Sequence, residues 1–119
     1  MYRSLDELNG RVASRVRSLL EPDETFVLAV RATDGLFDRW STHVAVTTRR
    51  LLTVRVVLLE SSVTGVRFDR LDDVTLDEPA ATVQVTHGLE TNEYAFDSAE
   101  TAAALADTIT EQRTATAAQ

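Results

Sequence analysis

The apolar positions change period along the chain. Within residues 4–20, Leu5, Leu8, Val12, Val16, Leu19 and Leu20 recur at the three- and four-residue spacing of one helix face. Ser4 and Glu7 stand at capping-box spacing ahead of that stripe, so the hydroxyl can accept from an orphan amide while the carboxylate reaches back to the cap. Gly10 weakens such a helix by about 1 kcal/mol relative to alanine, and Glu21 before Pro22 marks its end. The pattern predicts an amphipathic N-terminal helix within residues 1–22. Arg11, Arg15 and Arg17 lie off the stripe, and Leu8, Val12, Val16 and Leu19 form its docking surface, for this chain or for another.

After Pro22 the period becomes two. Residues 25–31 read as a strand with Phe26, Leu28 and Val30 on one face, and residues 42–48 as a strand with Val44 and Val46 on one face. Asp34-Gly35 signals a turn in the loop between them, which holds Phe37 and Trp40. Residues 51–59 align Leu52, Val54, Val56 and Leu58, with Thr48, Arg49 and Arg50 as the preceding hairpin connection. This third strand is apolar on both faces apart from Thr53 and Arg55, so it is expected to be covered on both sides, with the N-terminal helix as one cover.

Four more short strands are expected over 63–68, 73–77, 81–86 and 91–96, with Pro79 and Gly88 between them. A second capping-box pair, Asp97 and Glu100, opens a final helix from 99 to about 111, with Ala102, Leu105, Ala106 and Ile109 as a narrow stripe. Residues 113–119 have too little apolar mass to dock and are expected to fray. The whole predicts an α+β chain: a bent antiparallel barrel or sandwich of seven strands, closed by a C-terminal helix and preceded by another.

Composition narrows the function classes. A chain of 119 residues, 44% hydrophobic, supports one domain with a packed core. It has no cysteine, which excludes a disulfide framework, thiolate metal ligands and a cysteine nucleophile, and points to an intracellular, cytoplasmic setting. No run approaches the roughly 18 apolar residues of a bilayer helix, and the opening MYRSLDEL has acids where a signal peptide needs an apolar core. The net charge of −7 argues against general affinity for nucleic acid or anionic lipid. That charge is uneven: residues 1–60 hold nine arginines and eight acids, and residues 61–119 three arginines and eleven acids. Two surfaces of opposite sign could pair between copies or with a partner.

Little in the sequence points to chemistry. His43 and His87 are far apart, lack neighbours at ligand spacing and read as surface histidines. The acids Asp69, Asp72, Asp73 and Asp77 are the best remaining candidate for chemistry, as paired carboxylates can bind a hard cation or share a proton, but they lack the alternation and glycine of a calcium loop. The four glycines are scattered, and neither a nucleophile elbow nor a phosphate-cradling loop is present. Phe37, Arg39 and Trp40 form the one basic and aromatic grouping, a candidate interaction loop that either tucks under the core or contacts a protein; nucleic acid ranks behind both.

Residues as well as element order resemble a known family. Val46-Thr47-Thr48-Arg49-Arg50-Leu51-Leu52 resembles the hairpin of bacterial pleckstrin-homology-like (PH-like) domains of the GRAM-like and YokE-like kind, where a strand ends, turns on a basic pair and restarts. Phe68-Asp69-Arg70-Leu71-Asp72-Asp73-Val74 resembles the element that leads into their next strand, and Tyr94-Ala95-Phe96 with Ser98-Ala99-Glu100 their final strand and helix. The resemblance implies a PH-like domain over residues 23–112 and a binding or scaffold module without catalytic residues, metal or cofactor. Its partner would be a protein, including a second copy of the chain. The alternative is peripheral membrane or anionic-ligand binding through Arg39, Arg49 and Arg50. The loop at 32–41 holds a single arginine, Arg39, together with Asp34 and Asp38, so it does not match the family's inositol-phosphate signature.

Overall fold

The period-two segments form seven strands in two antiparallel sheets. In the computed structural model, residues 1–8, 10–33, 40–57 and 60–117 are described, with Trp40, Ser41 and Val57 as backbone alone. Sheet A joins β1 (Phe26–Ala32), β2 (Trp40–Thr47), β3 (Arg50–Val57) and β4 (Glu60–Arg67) in chain order. Sheet B joins β5 (Asp73–Asp77), β6 (Thr82–His87) and β7 (Glu90–Ala95). The barrel expectation resolves as a sandwich: the sheets meet without closing, joined where Thr33 N–H, just past β1, donates to Ala95 O of β7 (2.8 Å). Two helices complete the α+β fold, α1 (Gly10–Leu19) and α2 (Ala99–Ala117).

The apolar parts of β1, β2 and β3 in sheet A are covered on both faces, as the two-faced β3 requires. Its inner face contributes Leu28, Val30, Val44, Val46 and Leu51 to a core shared with Val83 and Val85 of sheet B and with Leu105 and Ile109 of α2. Its outer face offers Ala29, Ala45, Leu52 and Val54 to Leu8, Val12, Ala13 and Val16. The two alanines at the centre leave room for α1 to lie close. Gly65 serves the same layer, because a Cβ there would stand 3.1 Å from Leu52 Cδ2.

Four local expectations are corrected. The N-terminal helix is interrupted: the Ser4–Glu7 capping box forms, but on a 3₁₀ turn over Leu5–Glu7, and Leu8 is extended before α1 begins at Gly10. Phe26 does not share a face with Leu28, because the β1–β2 register shifts between them. That shift sends Phe26 to the α1 side while Leu28 and Val30 face the inner core. The C-terminal helix starts on Ser98, whose hydroxyl accepts from the Thr101 amide (3.2 Å), rather than on an Asp97–Glu100 box. It also runs past residue 113 to Ala117, because Arg113 donates to the carbonyls of Leu71 (3.1 Å) and Asp72 (3.3 Å) and anchors the segment expected to fray.

Candidate functional site

The N-terminal stripe is satisfied within the chain. Leu8, Val12 and Val16 are buried against sheet A, and Leu19 is half-buried at the end of α1. Of the aromatic loop, Phe37 and Arg39 lie outside the described residues, and Trp40 enters by its backbone opposite Val57.

The basic pair at the β2–β3 hairpin is held by acids. Arg50 makes a two-bond fork to Glu24, Nε to Oε2 at 2.9 Å and Nη2 to Oε1 at 2.7 Å, and also donates to the Leu19 carbonyl at the end of α1. The Glu24 carboxylate is fully enclosed, and Thr47 donates its hydroxyl proton to Oε2 at 2.5 Å. Burial alone would push the Glu24 carboxyl up. The bonds from Arg50, Thr47 and the Glu21 amide outweigh it and hold the pKa at about 2 against an ordinary 4.5. Arg49 pairs with Asp23, and Arg67 lies 3.7 Å from Glu21 and 4.0 Å from Asp69. The surface around the pair is therefore charge-balanced rather than positive. Sequence reasoning missed Glu24, whose partners lie 23 and 26 residues away.

The histidines and the acid cluster also resolve individually. His43 is buried at 4% exposure, correcting the surface expectation; its ring stands 6.0 Å from that of Tyr2. Burial, followed by the charge of Arg31 directly across the strands, lowers its pKa below 6.5. The unfolded chain thus takes up this proton more readily, and stability contributed by neutral His43 is present above pH 6.5 and lost as pH falls below it. A His43→Leu variant is expected to lose the part of the pH dependence of its urea midpoint that arises just below pH 6.5, checked by melts at pH 7.5, 6 and 5. Asp72 accepts from the Gly88 amide (2.7 Å), Asp73 from the Thr75 hydroxyl within β5 (3.3 Å) and Asp77 from the Ala80 amide (3.3 Å), so each carboxylate has its own partner. Among the described residues, no three His, Cys, Asp or Glu side chains gather as a metal site.

The sheet edges differ in how they are treated. β1 is covered by Tyr2, which exchanges two backbone bonds with Ala29, both 2.8 Å. β5 has five residues with aspartates at both ends, and β7 carries Glu90 and Glu93 and meets Thr33. β4 has eight residues, ESSVTGVR, and among the described residues its backbone bonds to β3 alone. Phe68 N–H donates to Arg49 O, so the alternation of an antiparallel ladder turns the amides of Ser61, Val63, Gly65 and Arg67 outward. Charge stands at the two ends of this edge, and its centre is small and uncharged.

Between the sheets, opposite the α2 end, the inner face changes from apolar to polar. Thr42, Thr53, Arg55, Ser62 and Thr64 from β2, β3 and β4 face Asn92 and Tyr94 of β7 across a cleft of about 320 Å³. Thr53 and Tyr94 share a hydrogen bond of 2.8 Å across it. Arg55 lies directly opposite Ser62, and Thr53 opposite Thr64. Thr53 and Arg55 were legible as the polar exceptions of the third strand; which face they occupy was not.

Two sheets with a helix closing one end define a pleckstrin-homology-like fold. The structure is similar, with a TM-score of 0.66, to the crystal structure of a DUF1696 family protein with a pleckstrin-homology domain from Shewanella loihica PV-4, over 92% of this chain and 97% of that one at 16% identity. No family model matches the chain. No curated protein matches it either. No described helix is long and apolar enough to cross a membrane.

Proposed function

We propose that the chain is a non-catalytic PH-like interaction module of the GRAM-like and YokE-like kind, working in the cytoplasm through protein contact, and that its partner adds a strand to β4. A second copy of the chain is the partner that this reading names. The open edge carries it: proteins ordinarily blunt long edge strands with proline, lysine, bulges or covering segments, and here three edges are treated in such ways while β4 is left plain. Pairing two β4 strands antiparallel about a two-fold axis satisfies the outward amides of Ser61, Val63 and Gly65 in both copies. The alternative through Arg39, Arg49 and Arg50 has less support, because Arg50 is committed to Glu24 and Arg49 faces Asp23.

Sedimentation velocity over a wide concentration range tests the reading. Wild type is expected to form dimers, and Val63→Pro to stay monomeric, because this substitution removes an outward donor that β3 does not use. A urea melt checks that the variant remains folded. Both copies carry −7, so salt is expected to strengthen a β4-to-β4 dimer by screening. An assembly of unlike charged faces would weaken with salt instead. A monomer at every concentration, or a Val63→Pro dimer as tight as wild type, would overturn the proposal.

A further inference from the structure

We infer that the β4-to-β4 dimer carries on its outer face a trough for an acidic helical segment of a partner protein, walled by Arg11 and Arg15 of both copies. This inference rests on the dimer proposed above. The outer side of α1 is basic and polar: Arg11, Ser14, Arg15, Arg17 and Ser18 are exposed, and the helix contains no acid. Arg17 lies 3.7 Å from Asp6, whereas the Arg15 guanidinium has no ion-pair partner among the described residues. That sets Arg15 apart from Arg49, Arg50 and Arg67, each of which faces an acid. Arg11, Ser14, Arg15 and Ser18 border an open groove that also reaches Ser61 of β4, so the basic side of the helix extends to the free sheet edge.

Symmetry turns this border into a trough. Antiparallel strands of two copies are related by a two-fold axis perpendicular to their sheet, so both copies present α1 on the same side. β4 turns Ser61, Val63 and Gly65 toward that side, since Ser61 borders the α1 groove, Val63 packs with the α1 cluster and Gly65 approaches Leu52. These residues of both copies make an uncharged floor. Each α1 packs on Ala45 of β2 and on Leu52 and Val54 of β3. Strand spacing of about 4.8 Å then sets the two α1 axes roughly 19 Å apart, and a third helix packed between them needs about 16–20 Å. Arginines on both walls select carboxylates along both flanks of the occupant. The −7 of each copy opposes a long polyanion whose charge runs on past the trough. A short acidic helix instead keeps its charge within a Debye length of the arginines, about 8 Å at physiological salt. The facing arginines repel one another in the empty dimer, so an acidic occupant also favours pairing.

Fluorescence anisotropy tests this with a labelled, alanine-rich peptide of about 18 residues bearing glutamates on two flanks, beside its lysine counterpart. The glutamate peptide is expected to bind wild type and to raise its dimer fraction in sedimentation velocity, and the lysine peptide to do neither. Arg15→Glu and, separately, Ser14→Glu change exposed positions and are expected to weaken binding roughly 10- to 100-fold, with urea midpoints near that of wild type. Both variants are expected still to dimerise. Val63→Pro keeps a single wall and is expected to bind about 10-fold more weakly or worse. Equal binding by Arg15→Glu or by Val63→Pro would overturn the trough and leave the β4 pairing standing. A wild type that is monomeric with and without the peptide would overturn both. A wild-type dimer that ignores the glutamate peptide, or that co-sediments with phosphatidylserine vesicles in its place, would overturn the acidic-helix assignment.

Discussion

Arg50→Ala is expected to lower stability by about 3–5 kcal/mol, read from urea denaturation at neutral pH, because it leaves the enclosed Glu24 carboxylate without its counter-ion. The substitution also frees the Leu19 carbonyl and loosens the join between α1 and the β2–β3 hairpin. Glu24→Gln keeps the volume and loses the charge, and should fall between Arg50→Ala and wild type. Replacing both partners, as Glu24→Leu with Arg50→Met, should recover most of the loss, since neither charge is then stranded. The same pair sets the acid response. Glu24 has a folded pKa of about 2 against 4.5 unfolded, so its contribution is fully present above pH 4.5 and disappears as pH falls from 4.5 toward 2. A difference of this size corresponds to about 3 kcal/mol, and Glu24→Gln should remove that segment of the pH–stability curve.

Val16→Asp is expected to be comparably severe, at about 3–5 kcal/mol, by placing an unpaired carboxylate where the valine is fully buried between α1 and sheet A. Val16→Ala should cost less than half of this, because it removes two methyl groups without adding charge. The comparison separates burial within the chain from burial by a second copy. Measured in the Val63→Pro background, where the proposed β4 dimer is removed, the midpoint of Val16→Ala is independent of protein concentration with the stripe packed in cis; a stripe covered by another chain would make it concentration-dependent.

The strand pattern was legible where side-chain alternation coincided with an uninterrupted ladder. β5 spans Asp73–Asp77 as expected, and the two-faced β3 is covered by α1 on one side and by the shared core on the other. Reading failed where one residue or one distant partner decided the outcome. The extra residue in β1 moved Phe26 to the other face, and alternation alone carries no sign of it. Glu24 and His43 look like surface residues until the strands bring Arg50 and the α1 layer over them. Arg113 secures the last turns of α2 through carbonyls more than 40 residues earlier, which composition could not disclose. The cleft was half legible: Thr53 and Arg55 broke an apolar run, but only the topology brings them against Asn92 and Tyr94.

The attachment of α1 has a consequence for how the molecule opens. Its leading segment is pinned where Tyr2 pairs with Ala29, and its trailing end where the Leu19 carbonyl meets Arg50. A helix tethered at one end frays from the other, so its amides exchange with solvent in a graded series. Tethered at both, α1 must detach as a block, and its amides should share one opening free energy with the outer face of sheet A. The arginine-bearing helix is thereby part of the same cooperative unit as β1 and β3, rather than an appendage laid over a finished domain.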